Sequence, residues 1–145
     1  MSAACSIALG ALLCLSFALS AACGTGQKRS GLPPEAQATI DAVTNDLARG
    51  DYEKIYTDAA EEWRRTASAD ESRANLERIR TSLGNVLSRA QLSANEALTG
   101  DTDHTLVVGY NTRFERADAI ETFTLVERDG RWMLARYAVN SNALR

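Results

Sequence analysis

The hydrophobic pattern of this chain changes its period near Gly84, and this change limits the possible folds more than any other feature. Before Gly84, apolar residues recur three or four positions apart, as on one face of an α-helix. After Gly84, they alternate with polar residues, as in strands with one buried face. Helices segregated from strands indicate an α+β domain rather than alternating parallel units.

The first half of the chain is predicted to form about three helices. Pro34 suits the first turn of one helix, and Gly50 suits its end. Asp51 is placed to cap a second helix. Ser68 and Glu71 have the spacing of a capping box at the start of a third. The second helix has an apolar stripe interpreted as core, made of Tyr52, Ile55, Tyr56, Ala59 and Trp63.

Four antiparallel strands are predicted after Gly84, the first of them a weak alternation of Ala90, Leu92 and Ala94. The others cover residues 106–114, 120–127 and 132–140. Asp129-Gly130 predicts a type I′ hairpin turn, because both positions tolerate positive φ. A regular hairpin then places Thr122 opposite Tyr137 and Phe123 opposite Arg136. Both of its faces are largely apolar, which predicts that this hairpin is central or that the sheet curls around something.

The N-terminal segment has the pattern of an export signal. Residues 1–27 contain no charged side chain. Their apolar centre, residues 7–19, is shorter than the ~20 residues that span a bilayer. Small residues, Ser20-Ala21-Ala22, follow it, as at a signal peptidase site. We therefore expect a signal peptide over residues 1–22.

The segment Leu19-Ser20-Ala21-Ala22-Cys23-Gly24 resembles the lipobox of bacterial lipoproteins. In that family the cysteine receives a diacylglyceryl group and becomes the new N-terminus. Ser20 stands where the family usually has Leu, and no Lys or Arg precedes the apolar segment. The resemblance implies lipidation at Cys23, a flexible tether over residues 23–33, and a folded domain over 34–145. Plain secretion and an uncleaved anchor are the alternatives.

Composition limits the classes of partner and cofactor that are expected for this chain. The chain has 145 residues, enough for one domain, and a net charge of −3, which argues against a nucleic-acid partner. Cys5 and Cys14 would leave with the signal, so no internal disulfide is expected. No motif for a metal, nucleotide or other cofactor is present. His104, the only histidine, is interpreted as a solvated turn residue next to Asp103 rather than half of an acid/base pair.

Three helices followed by four antiparallel strands resemble the nuclear transport factor 2-like superfamily. Residues 47–52 (LARGDY) look like the turn that joins the first two helices of such domains. Residues 80–89 (RTSLG and the following Ser88-Arg89) and residues 114–132, with ETFTL and RDGRW, look like segments of bacterial envelope domains of unknown function. The resemblance covers residues 36–140. It implies a cone, in which a curved sheet wraps around helices with a pocket at its wide end. The superfamily contains enzymes, binding modules and assembly domains, so the fold alone does not choose a function.

The candidate pocket residues lie on the last three strands. They are Tyr110, Glu121, Phe123, Arg136 and Tyr137. Glu121 and Arg136 are expected to meet diagonally across the last hairpin, either as a structural ion pair or at the mouth of the cone. Some enzymes of the superfamily place a carboxylate and tyrosines inside the cone, a set that only Tyr110, Glu121 and Tyr137 could imitate. No catalytic residue is predicted.

Three alternative functions are compatible with the sequence. The first is an exported lipoprotein with a non-catalytic domain, which binds a small ligand or a protein partner at the cell envelope. The second is a small enzyme that uses the cone pocket, and the third is a self-associating structural module. The residue after Cys23 is Gly24 and not Asp, which favours the outer membrane over the inner one. The oligomeric state is left open.

Overall fold

Four helices precede a four-stranded antiparallel sheet, which confirms the α+β class. The structure is a computed structural model that describes residues 31–99 and 103–145. In chain order the elements are α1 (Pro34–Arg49), α2 (Tyr52–Asp58), α3 (Glu61–Thr66), α4 (Ala69–Leu83), β1 (Val86–Thr99), β2 (Asp103–Phe114), β3 (Asp118–Arg128), β4 (Arg131–Asn140) and the 3₁₀-helix η1 (Asn142–Leu144). The predicted signal peptide, Cys23 and most of the turn predicted at residues 100–103 lie outside the described residues.

The predicted ends of the first and last helices are confirmed. Helix α1 ends at Gly50, whose φ of 78° is left-handed and whose N–H bonds to carbonyls of the last turn. Helix α4 begins with a capping box. The hydroxyl of Ser68 accepts a hydrogen bond from the backbone N–H of Glu71, and the Glu71 carboxylate accepts one from the backbone N–H of Ser68.

The single helix predicted between Asp51 and Trp63 is instead two short helices. The chain is extended at Ala59 and Ala60, with ψ of 157° and 160°. There the backbone N–H of Ala60 donates a 2.8 Å hydrogen bond to the carbonyl of Leu134 on β4. This tertiary contact overrides the local helical pattern. Trp63 is nevertheless buried, as predicted, and its ring N–H donates to the Ser72 hydroxyl.

The strands follow one another in the order β1-β2-β3-β4. Asp129 and Gly130 have φ of 52° and 73°, which confirms the type I′ turn. Strand β3 is an inner strand, whereas β4 is an edge strand whose buried face carries Trp132, Leu134 and Tyr137. Helices α1 and α3 pack against β4, so its apolar face is covered without a further strand.

The register predicted for the last hairpin holds only near its turn. Val126 lies opposite Met133 as predicted, but the pairing shifts by one residue between Thr124 and Leu125. Beyond the shift, Phe123 lies opposite Tyr137 and not opposite Arg136. A β-bulge on β4 explains the difference, because one extra residue on a strand displaces every later pair.

The helices cover one face of the sheet, and the core lies between them. Its fully buried side chains include Ile40, Leu76 and Leu83 from the helices and Phe123 and Leu125 from β3. Among the described residues, the buried core cluster extends from Ala36 to Tyr137 as one unit. Residues 31–145 therefore contain a complete core and are expected to fold independently. In the described part of the chain, no helix has the length and apolarity that a membrane crossing requires.

Candidate functional site

The centre of the candidate site is a buried carboxylate on the inner face of the sheet. Glu121 lies on the inner face of β3 and is 1% exposed. The guanidinium of Arg89, from β1, binds it through two hydrogen bonds: Nε to Oε2 at 2.7 Å and Nη2 to Oε1 at 3.0 Å. This fork geometry is the strong form of an arginine–carboxylate pair.

Two further groups donate to the same carboxylate. The hydroxyl of Tyr137 donates to Oε1 at 2.6 Å, and the hydroxyl of Thr112 donates to Oε2. Together with Thr44 of α1, whose hydroxyl accepts a hydrogen bond from Arg89, the residues Arg89, Thr112, Glu121 and Tyr137 are called the Arg89–Glu121 cluster below. A carboxylate has about four lone-pair sites. Arg89, Thr112 and Tyr137 together fill all of them.

The protonation of Tyr137 follows from its surroundings. Burial raises the pKa of Tyr137 well above its usual value, and the negative charge of Glu121 and the hydrogen bond to it act in the same direction. The charge of Arg89 opposes this shift without cancelling it. Tyr137 is therefore a stable neutral donor and not a source of tyrosinate.

Arg89 itself is held on several sides. Its Nη1 donates to the Thr44 hydroxyl of α1 at 3.0 Å. Its guanidinium carbon lies 5.5 Å and 5.6 Å from the ring centres of Tyr110 and Phe123. These distances fit cation–π contacts. The side chain is 15% exposed, so the ion pair with Glu121 is largely screened from water.

The structure brings together four of the five candidate pocket residues. Phe123 contacts Tyr137 at 4.9 Å and Tyr110 at 5.8 Å between ring centres, and Glu121 lies beside them. Arg136 is exposed and lies opposite Thr124. The ion pair predicted between Glu121 and Arg136 is therefore wrong, because the β-bulge shifts the register. Whether these residues bind a ligand stays a prediction.

Sequence reasoning missed Arg89 as the partner of Glu121. It assigned the weak alternation of Ala90, Leu92 and Ala94 to a strand, and all three of these residues are exposed. Arg89, the partly buried residue that precedes Ala90, reaches Glu121 instead. The only signal at this position was an arginine within the superfamily-like segment of residues 80–89.

The hydroxyl of Tyr110 is the one buried side-chain polar atom, among the described residues, without a hydrogen-bond partner. Burial raises the pKa of Tyr110, while the charge of Arg89 acts in the opposite direction. Tyr110 is not among the residues that line the cavity described next. Its ring supports Arg89 and Phe123 instead.

A cavity of about 300 Å³ lies beside the Arg89–Glu121 cluster, between α1, α4 and the sheet. This volume is at the lower end of the range for small-molecule sites. Its apolar walls come from Leu47 and Ala48 on α1, Ile79 on α4, Val86 on β1 and Phe114 on β2. Its charged lining consists of Arg80, Arg89 and Glu121.

One edge of the cavity is fixed by a contact that we call the Glu115 latch. The carboxylate of Glu115 accepts hydrogen bonds from the backbone N–H and the side-chain amide of Asn85, both at 2.9 Å. These bonds lower the pKa of Glu115, and the nearby arginines add to the effect. The backbone N–H of Arg116 donates to the Leu83 carbonyl at 3.0 Å. Together these bonds join the β2–β3 turn to the corner between α4 and β1.

His104 lies apart from this site. It is partly exposed, and its Nδ1 is 3.2 Å from the Glu96 carboxylate on the neighbouring strand. It does not line the cavity. Within residues 31–99 and 103–145, no group of His, Cys, Asp and Glu side chains is arranged to hold a metal ion.

Comparisons with known proteins place the chain in a family but do not assign it an activity. A solved structure from Novosphingobium aromaticivorans DSM 12444, named as a Putative Scytalone Dehydratase, matches with 16% identity and a TM-score of 0.45. The match covers 74% of this chain and 82% of that one. A likeness at this level carries no inference about activity. No curated protein matches the chain. A family model described as Protein of unknown function (DUF4019) matches residues 39–137, more than half of the sequence, and the chain therefore belongs to that family.

Proposed function

We propose that this chain is an exported lipoprotein with an NTF2-like domain that binds a small ligand and catalyses no reaction. The observation that carries the proposal is the cavity of about 300 Å³ beside a carboxylate whose acceptor sites are all filled. The cavity offers apolar walls and a few fixed polar groups, which is the usual composition of a ligand site.

The filled carboxylate is the argument against catalysis by Glu121. A general base must accept a proton from its substrate through a free lone pair. Glu121 would have to release Arg89, Thr112 or Tyr137 before it could do so. Tyr137 is held as a neutral donor and offers no alternative base. In this proposal the cluster forms a charged wall of the cavity, and the ligand is released without chemical change.

The envelope location is supported by the N-terminal sequence. An apolar segment and small residues precede Cys23, as in a secretory signal peptide, and Cys23 stands where the lipobox has its cysteine. A diacylglyceryl group on Cys23 would hold the domain at the membrane through the tether of residues 23–33. The outer membrane or the periplasmic face is the proposed location, with a secreted domain as the alternative.

Ligand binding is tested by native mass spectrometry of the protein isolated from its host envelope. Ala48 and Ala38 are both exposed residues of α1, but only Ala48 lines the cavity. Ala48→Trp therefore places a large side chain at the rim of the cavity, whereas Ala38→Trp places it away from the cavity. We expect a bound small molecule on the wild type and on Ala38→Trp, and none on Ala48→Trp. A bound molecule that survives Ala48→Trp, or an empty wild type, would contradict ligand binding in the cavity.

Anchoring is tested by the intact mass of the protein from the membrane fraction. We expect a chain that starts at Cys23 and carries an added diacylglyceryl mass, and a Cys23→Ala variant without that mass. A chain in the soluble fraction with a free N-terminus near residues 21–23 would instead show a secreted domain.

Exposed apolar side chains favour a second candidate, which is contact with a protein or a second copy. Leu87 and Leu92 on the edge strand β1 are 60% and 55% exposed, and Ile120 on β3 is 41% exposed. Light scattering of residues 24–145 tests self-association. A stable dimer that becomes monomeric with Leu87→Ser and Leu92→Ser would support this candidate, and a monomer at every concentration would remove it.

A further inference from the structure

We infer that the ligand of the cavity is a small amphipathic anion, with its acidic head at Arg80 and Arg89 and its apolar chain against Leu47, Ile79 and Phe114. This inference deepens the proposed function and rests on it. The chemical class of the ligand follows from the hydrogen-bond donors of the cavity lining that have no partner within the protein and from the net charge of that lining.

The Arg89–Glu121 cluster has spare donors but no spare acceptors on its carboxylate. A guanidinium has five N–H groups. Three of those on Arg89 are engaged, two by Glu121 and one by Thr44. One N–H on each terminal nitrogen remains, and both arginine and carboxylate line the cavity. Because Glu121 is saturated, a ligand at this position must bring acceptors, such as carboxylate or phosphate oxygens.

The net charge of the cavity lining also favours an anionic ligand. Arg80 and Arg89 are positive and Glu121 is negative, so the charged lining has one net positive charge. Glu115 lies close to this end of the cavity and adds a negative charge, but Arg116 is near it and adds a positive one, so the sum does not change. A ligand with one negative charge would leave the lining neutral, whereas a cation would face an uncompensated arginine.

The remaining lining requires an apolar part in the same ligand. Leu47, Ile79, Val86 and Phe114 present side chains to a space that inorganic anions would leave unfilled. A volume of about 300 Å³ limits the ligand to one short chain and excludes a diacyl lipid. Short-chain carboxylates and monoalkyl phosphates share this chemistry, and the experiment below separates them.

The test compares eight-carbon probes by calorimetry on residues 24–145, which contain the complete core. The probes are octanoate, octyl phosphate, octanol and octylammonium, with acetate as an anion that lacks the chain. We expect octanoate to bind about tenfold more tightly than octanol, because a charge-assisted hydrogen bond contributes more than a neutral one. Octylammonium and acetate should not bind measurably. Tighter binding of octyl phosphate than of octanoate would identify a phosphate head group within the same class of ligand.

Two variants on helix α4 locate the head group. Arg80→Gln should weaken octanoate binding about threefold at low salt and leave octanol unchanged, because Arg80 is partly exposed and its charge is screened. Arg73→Gln, an exposed arginine of the same helix outside the cavity, should change neither.

The outcomes separate the two proposals. Equal binding of octanoate, octanol and octylammonium, abolished by Ala48→Trp, would overturn the anionic class and keep a ligand-binding cavity. No octanoate binding, together with a bound molecule of another class on the native protein, would have the same meaning. No binding of any probe and no molecule on the native protein would overturn both.

Discussion

Arg89 and Glu121 lie on strands that are not neighbours in the sheet, yet their side chains meet across β2 through hydrogen bonds of 2.7 Å and 3.0 Å. Thr112 of β2 and Tyr137 of β4 donate to the same carboxylate. One residue from each of the other three strands therefore converges on Glu121. This convergence joins the whole inner face of the sheet, and Thr44 extends it to helix α1.

Removing one partner of the central pair should destabilise the domain strongly. Arg89→Ala leaves the Glu121 charge buried and without its cation, which typically costs about 3–5 kcal/mol of unfolding free energy. Urea denaturation of residues 24–145 measures this cost. The double variant Arg89→Met with Glu121→Met should recover part of it, because no charge is left uncompensated, although Thr112 and Tyr137 lose their acceptor. A loss below about 1 kcal/mol for Arg89→Ala would contradict the central position of the pair.

Arg136 provides the contrast to Arg89. It is exposed, and in the observed register it lies opposite Thr124. Arg136→Ala should therefore change the free energy of unfolding by no more than about 0.5 kcal/mol. The same urea experiment measures it beside Arg89→Ala. A loss comparable to that of Arg89→Ala would contradict the exposed position of Arg136.

Stability should fall at alkaline pH because of Tyr137. Its pKa in the folded protein is raised by burial and by Glu121, so the unfolded chain loses this proton first as the pH rises. The stabilisation is complete below the usual tyrosine pKa of about 10 and declines as the pH rises towards the folded value. Tyr137→Phe should be less stable at neutral pH but should show a shallower alkaline decline. An equal decline in the stability of the wild type and of Tyr137→Phe at alkaline pH would exclude this contribution of Tyr137.

Gly84 should be intolerant of substitution. Its φ of 80° and ψ of −158° lie in a region that is nearly exclusive to glycine, and an added Cβ would collide with the Glu115 side chain. Gly84→Ala should cost about 1–3 kcal/mol in thermal unfolding. Gly50→Asn is the matched control, because its left-handed φ of 78° and ψ of 20° are accessible to asparagine. Equal losses for both variants would contradict the role of the Glu115 latch.

Local signals in the sequence were sufficient for much of the fold. The capping box of Ser68 and Glu71 and the turn at Asp129-Gly130 depend on residues within a few positions of each other, and both are confirmed. The break at Ala59 depends on a carbonyl of β4, and the register at Phe123 depends on a bulge. These long-range features leave no local pattern, so the sequence could not indicate them.

The candidate site shows the same limit. Glu121 and Tyr137 were recognised from their places on the last hairpin, and the structure brings them together. Arg89 was not assigned to this group, because an arginine on a strand reads as a solvent-facing residue unless its buried partner is known. The partner is 32 residues away in sequence.

The most direct test of the account is nuclear magnetic resonance mapping of the octanoate site on residues 24–145. We expect the backbone amide shifts induced by octanoate to concentrate at Ala48, Arg80, Gly84 and Arg89 around the cavity. We also expect Ala48→Trp to abolish these shifts. Shifts concentrated at Leu87, Leu92 and Ile120 on the exposed strands, and unchanged by Ala48→Trp, would contradict the cavity as the binding site.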